Sequence, residues 1–367
     1  MLKLAQRKMM LLAIIAISSS IATSALAGFW DSPTKYVPAI SDVYVCNHDT
    51  GSISVLNGVT GTTLKTILLP AGAQPSGIAF RPDYGSAYVT DGNNGRIHYL
   101  KNKQLQQTIN ISAVGTGQLA IHSNGKFAYI SALLSTSPWS PAILVLDTNP
   151  ASPTFNTIIK TINGISFDSI AFTPDGTRAY ITIDGSWGNV SQVKMINTSS
   201  HTITSTIQLP IPTSPLGLTI SPDGKRVYVP GWMAHNVSVI DSDPSSPTYN
   251  TKVAEIPVNG AARAVALSPS GNLAYVTLDT GGVAVIVTTP SSGQFHQVIA
   301  YISDAGPFNG IHDIALSLDG RFAYITVANG ENKLYVVDSE PFSTKFNKLI
   351  HVFNVGIGPT GVAVRPH

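Results

Sequence analysis

Short alternating runs of apolar and polar residues recur along the chain, divided by turn sequences. "GIAFRPDYG" (77–85), "SIAFTPDG" (169–176), "GLTISPDG" (217–224), "AVALSPSG" (264–271) and "IALSLDG" (314–320) each join an alternating run to a turn. Alternation with a period of two marks a half-buried strand. The turn can be read as well: Pro fixes the first corner, Asp bonds its own backbone, and Gly takes the left-handed residue. A second strand follows ("DVYVCN", "SAYVTD", "FAYISA", "RAYITI", "RVYVPG", "LAYVTL", "FAYITV"), then a third such as "VSVID" and a fourth such as "VAEIPV". The pattern predicts an all-β chain made of units of four short antiparallel strands.

The second strands are anchored by Tyr44, Tyr88, Tyr129, Tyr180, Tyr228, Tyr275 and Tyr324, at spacings of 41 to 51 residues. Seven copies of a unit that cannot bury both its faces alone predict a seven-bladed β-propeller. The chain ends support a closed ring. "GPTGVAVRPH" stops where its counterpart "AQPSGIAFRPD" (73–83) runs on into a Tyr-Val strand, and the first repeat begins at Asp42 with its Tyr-Val strand and none before it. Together the fragments make one blade, with the C-terminal strand innermost and the N-terminal segment supplying the other three. Closure of this kind removes the open sheet edges of a linear array, and makes 42–367 one domain. The repeat, "P-x-G-[IV]-A-[FLV]-x-P-D-G-x-x-[AV]-Y-V-T", resembles the YVTN-type β-propeller repeat family over almost all of that span. The resemblance implies seven blades and a place outside the cytoplasm. It also implies kinship with lactonase-like, amine-dehydrogenase-subunit-like and haem-carrying nitrite-reductase-like propellers, which leaves the activity open.

The first 27 residues break the pattern. Lys3, Arg7 and Lys8 precede an apolar run of about nine residues and the small-residue ending Ala25-Leu26-Ala27, which reads as a secretory signal peptide. The run is too short for the roughly 20 residues that span a bilayer. Residues 28–41 are then an N-terminal extension, and the expected location is the periplasm or the exterior. Removing the three basic residues from 22 leaves 19 against 20 acidic ones, so the formal charge moves from +2 to about −1. With no cluster of Lys and Arg, nucleic-acid binding through phosphates is not expected. Charged residues make up only 11% of the chain, and the single cysteine, Cys46, excludes an internal disulfide and c-type haem attachment. Cys46 occupies the slot filled by Thr90, Thr182, Thr277 and Thr326 in other repeats, which suits a buried small side chain.

In a propeller the loops leading into first strands and those joining second to third strands share one face, around the channel mouth. Trp139, Trp187 and Trp232 fall in the second-to-third loops of blades three, four and five (132–142, 183–189 and 231–236). They are candidates for a shared aromatic surface that stacks on sugar rings or anchors a protein partner, against the plainer expectation that each ring folds onto its own blade. Aligned first strands give a second set: Ser76, Gly117, Asp168, Leu216, Arg263, His312 and Thr360, followed by Gly77, Gln118, Ser169, Gly217, Ala264, Asp313 and Gly361. Asp168, Arg263, His312 and Asp313 break the small or apolar pattern. They are the types that ligate a metal or orient a polar ligand, or else pair with one another in a hydrated lining. The segment 303–313 suits a lip over that mouth. His48 and His235 share the face, and the near-duplicates "DTNPASPTFNT" (147–157) and "DSDPSSPTYNT" (241–251) read as hydrogen-bonded turns rather than calcium loops.

No Ser-His-Asp motif, H-E-x-x-H, P-loop or dinucleotide fingerprint is present. The leading expectation is an exported recognition module for a glycan or protein, needing no cofactor. The alternative is a lactonase-like or oxidoreductase-like enzyme at the channel mouth, working through Asp168, His312 and Asp313.

Overall fold

The computed structural model describes residues 41–165, 168–183, 191–279, 282–303, 310–328 and 330–366. The expected signal segment and most of the extension lie outside the described residues. Seven four-stranded antiparallel sheets succeed one another along the chain, and no helix occurs among the described residues, hence none long and apolar enough to cross a membrane. Blade 6 is representative, with strands Ala262–Leu267, Leu273–Leu278, Gly282–Val287 and Val298–Ile302 ordered from the channel outward. In blade 1 the innermost strand is the C-terminal Pro359–Pro366, paired with Ser41–Asn47 so that Val43 faces Val364 and Tyr44 faces Ala363. The ring therefore closes as the fragmentary end repeats predicted.

Burial grades from the inside out. Second strands such as Ser86–Asp91 and Leu273–Leu278 are buried throughout because a blade covers each face, whereas outer strands such as Thr63–Leu68 are mostly exposed. The core is accordingly divided: among the described residues seven hydrophobic clusters each straddle one pair of neighbouring blades. A blade alone would leave both its faces wet, so only the ring provides the apolar burial.

The recurrent tyrosine joins one blade to the next. Tyr88 donates to Asn156 Oδ1 at 2.6 Å, Tyr180 to Asn250 Oδ1 at 2.7 Å, and Tyr275 to Asn347 Oδ1 at 3.0 Å. Tyr129 bonds His201 Nδ1 at 2.6 Å, Tyr228 lies 3.4 Å from His296 Nε2, and Tyr324 donates to the Gly58 carbonyl at 3.2 Å. Every acceptor sits in the third-to-fourth-strand turn of the following blade. Asn156, His201, Asn250, His296 and Asn347 all hold positive φ, between 53° and 62°, which Asn and His tolerate better than most residues. Blade 1 reaches blade 2 through charge, with Lys103 Nζ 2.9 Å from the buried Asp42, which also faces Arg365 on the closing strand at 3.7 Å.

The near-duplicate loops serve this latch. Asp147 accepts from the Asn149 N–H at 2.9 Å and the Thr154 hydroxyl at 2.6 Å, and Asp241 accepts from the Asp243 N–H at 3.0 Å and the Thr248 hydroxyl at 2.6 Å. Their carboxylates are engaged within the turn, as a hydrogen-bonded turn requires, and that of Asp241 accepts from Arg226 Nη1 as well, at 3.0 Å. The turn in return holds Asn156 and Asn250, whose N–H groups bond the carbonyls of Asp147 and Asp241.

Candidate functional site

The first strands do not run straight into the channel mouth. Their pairing with the second strands slips between Pro75 and Ile78, Thr116 and Leu119, Ala262 and Val265, and Ile311 and Ile314. Each slip is a bulge, which frees two residues from the ladder and re-aims their side chains. The recurrent threonine of the second strand meets the N–H that the bulge orphans: Thr90 Oγ1 accepts from Gly77 and Thr277 from Ala264, both at 2.9 Å, and Thr326 from Asp313 at 3.0 Å. In blade 4, where no slip interrupts the ladder, Thr182 likewise accepts from the Ser169 N–H at 2.9 Å. Cys46, in that slot in blade 1, is wholly buried, and burial pushes its thiol up beyond the range where a thiolate forms.

The residues at these first-strand starts surround a cavity of about 360 Å³ to which all seven blades contribute, among them Ser76, Gln118, Asp168, Leu216, Arg263, His312 and Thr360. Every residue aligned from the sequence at this mouth lines it except Gly77. Arg263 Nη2 donates to His312 Nδ1 at 3.4 Å, and Arg263 Nη1 lies 3.7 Å from Asp279 Oδ2. Burial, reinforced by the Arg263 charge, lowers the His312 pKa to about 4, so the ring is neutral at pH 7. A neutral imidazole that accepts at Nδ1 carries its proton on Nε2, and His312 therefore presents a donor.

Asp313 has a different task. Its Oδ1 accepts from the Ile314 N–H at 2.9 Å, and its Oδ2 from the Val362 N–H at 3.0 Å on the closing strand. Burial raises its pKa to about 6, the two N–H bonds and Arg263 holding it back from rising further. Asp168, in blade 4, lines the same cavity. Among the described residues no group of three or more His, Cys, Asp or Glu side chains is placed to hold a metal ion.

The tryptophans part company. Trp139 is 67% exposed, but the segment 132–142, expected as a loop, is largely strand: Phe127–Thr136 and Trp139–Asp147 continue the hairpin, with Trp139 opposite Thr136. Strand-forming residues on both sides of Ser137-Pro138 extend the ladder beyond the blade's usual length. Trp232 is 38% exposed, and its indole N–H donates to Asp279 Oδ2 at 2.5 Å, on the side facing blade 6 and away from blades 3 and 4. Trp187 lies outside the described residues, as do 304–309 of the expected lip. His48 pairs with Asp49 at 2.7 Å beside the mouth, and His235 sits exposed in a turn at φ 51°. Asp279 was invisible to the repeat alignment. It stands one residue past a second strand, outside the aligned first-strand positions, and only its partners reveal it.

No family model and no curated protein matches the sequence. Among solved structures, the fold is similar to a functionally unknown protein from Desulfotomaculum acetoxidans, at 18% identity and a TM-score of 0.71, over 89% of this chain and 99% of that one. The periplasmic gluconolactonase of Pseudomonas aeruginosa gives 18% identity and a TM-score of 0.70 over the same shares. A putative 6-phosphogluconolactonase from Bacteroides uniformis gives 16% and 0.70, over 89% of this chain and 100% of that one. At these identities the likeness is one of fold.

Proposed function

We propose that this chain is an exported recognition propeller of YVTN type, and that its channel mouth binds a neutral, hydroxyl-rich ligand such as the end of a glycan. The observation that carries the reading is the convergence of Arg263 and His312 on the cavity, where Arg263 Nη2 donates to His312 Nδ1 at 3.4 Å and leaves His312 Nε2–H and the other guanidinium N–H groups as donors. Asp168 and Asp313 line the same space. Two carboxylates outweigh one guanidinium, which disfavours an anionic ligand. A sugar suits both kinds of group, since its hydroxyls donate to carboxylates and its ring or carbonyl oxygen accepts from Arg263 and from His312 Nε2–H. Beyond the mouth, Trp139 offers an exposed ring to a longer glycan or a protein.

Saturation-transfer NMR with neutral monosaccharides, disaccharides and glucono-δ-lactone tests this. At least one compound is expected to bind wild type and to be lost in both Arg263→Ala and His312→Ala. Binding by none, or binding that survives both substitutions, overturns the reading.

A second reading is lactone hydrolysis. It is favoured by a carboxyl titrating near 6 in a cavity that also holds two donors for a carbonyl oxygen, and by the names of two structures of similar fold. Water would add to the carbonyl carbon as Asp313 takes its proton, Arg263 and His312 would hold the developing oxyanion, and the ring oxygen would leave with the proton that Asp313 returns. Against it, both Asp313 oxygens already accept backbone N–H groups and His312 presents a donor rather than a base. In a pH-stat, ring opening of glucono-δ-lactone faster than the spontaneous rate, and abolished by Asp313→Asn, would move the assignment to this enzyme.

A further inference from the structure

Beside the channel mouth, between the loop faces of blades 7 and 1, opens a second cavity of about 370 Å³. It shares His312 and Thr360 with the first, so the two adjoin. Its remaining walls differ in kind. His48, Asp49 and Asn332 make it polar on one side, and Ile357, 54% exposed, offers an aliphatic surface on another. Asn332 Oδ1 accepts from the Gly358 N–H at 3.0 Å, which fixes the amide and commits its NH₂ to donating elsewhere. Asp49 is 58% exposed on its side chain and engages His48 through Oδ1. At Gly330, which also lines the space, an added Cβ would meet nothing within 4 Å, so the chamber is open there.

These walls select among ligands. No Lys or Arg lines the chamber and an exposed carboxylate does, so a phosphate or a second carboxylate would be repelled. An apolar ligand would desolvate the His48–Asp49 pair and the Asn332 NH₂ without offering them any new hydrogen bond. A sugar ring matches all three features: vicinal hydroxyls donate to Asp49, a hydroxyl or ring oxygen accepts from Asn332, and the C–H face of the ring rests on Ile357. The two cavities are of nearly equal size, each at the small end of the range for ligand sites.

We propose that the site is bipartite, the channel mouth holding one sugar unit and the chamber at His48, Asp49 and Asn332 holding a second one linked to it. The ligand class is then a neutral disaccharide end of a glycan rather than a free monosaccharide or lactone. This inference rests on the channel-mouth reading above. It predicts that a linked pair gains affinity because the second unit binds without a second loss of translational freedom.

Isothermal titration of the full chain with cellobiose, maltose, lactose and their component monosaccharides tests it. The expected result is that one disaccharide binds at least tenfold tighter than either of its components. Asp49→Asn and Asn332→Ala should remove that advantage and leave monosaccharide binding unchanged. Asp49→Asn is the safer variant, since Asn332 also holds Gly358 in place. Equal affinity for monosaccharide and disaccharide, or an advantage untouched by Asp49→Asn, overturns the bipartite site while leaving the channel mouth intact. Binding by neither class overturns both.

Discussion

Asp279 Oδ2 accepts the Trp232 indole N–H at 2.5 Å and stands 3.7 Å from Arg263 Nη1, which places one carboxylate oxygen between a rim aromatic and a mouth cation. Trp232 can therefore act through its ring, as a stacking platform, or through its N–H, by fixing Asp279 and with it Arg263. The two roles separate under Trp232→Phe, which keeps an aromatic ring and loses the donor. If Trp232 positions Arg263, Phe should weaken sugar binding about as much as Ala does, by roughly tenfold, the scale of one hydrogen bond to a charged group. Near-wild-type affinity for the Phe variant would instead assign Trp232 to stacking. Asp279→Asn adds a spectroscopic readout: the Asp279 charge raises the His312 pKa, so its removal should move that titration further below 4 by NMR. Of this arrangement the sequence revealed that Trp139 and Trp232 occupy corresponding stretches, and that Arg263 and His312 occupy corresponding first-strand positions. It could not reveal where an indole points, because no periodicity constrains a side chain past the end of a strand.

At the scale of the element, strand and turn were readable wherever local rules suffice. Asp175 and Asp223 accept from the N–H groups of Thr177 and Lys225, both at 3.0 Å, and Gly176 and Gly224 take φ of 72° and 73°, as the "PDG" turn requires. The interblade latch escaped such rules because donor and acceptor stand 68 to 72 residues apart in five of its members. The repeat displays the Tyr and, separately, the Asn in a turn; only the ring brings them together. Tyr88→Phe should then cost about 1–3 kcal/mol, because Asn156 Oδ1 is left buried without its donor. Tyr228→Phe should cost less, its partner lying 3.4 Å away. Urea midpoints of the two variants check the order, and equal losses would show the hydroxyls to be incidental to the packing of the rings. The recurrent Thr behaves in the same way. Its position was plain from "YVT", but the bulge N–H that it serves belongs to another strand.

The closed ring makes stability a collective property, and two of its latches titrate. His201 and His296 bond tyrosines where blades 3, 5 and 7 use Asn156, Asn250 and Asn347. Burial lowers the pKa of His201, and that of His296 to about 4, as it does for His312 at the mouth. As pH falls below about 6.5 the unfolded chain protonates these rings before the folded chain does, so their contribution is complete above 6.5 and is lost on acidification. Asp313 opposes them. Raised to about 6, it takes up a proton in the folded state first, so the folded form gains stability as pH falls from 6 towards its unfolded value. Three histidines against one aspartate leave a net loss, and the urea midpoint is expected to drop between pH 7 and 4.5. The repeat supplies its own control. Asn already accepts from tyrosine at the same positive φ in other blades, so the double variant His201→Asn/His296→Asn should keep its midpoint at pH 7. What then remains above the carboxylate range is His312 against Asp313, of opposite sign, and the midpoint of the variant should be nearly flat down to about pH 5, below which the lowered carboxylates such as Asp91 and Asp241 add their own loss. A midpoint that still falls as steeply as in wild type would show that the acid sensitivity of the ring lies outside its tyrosine latches.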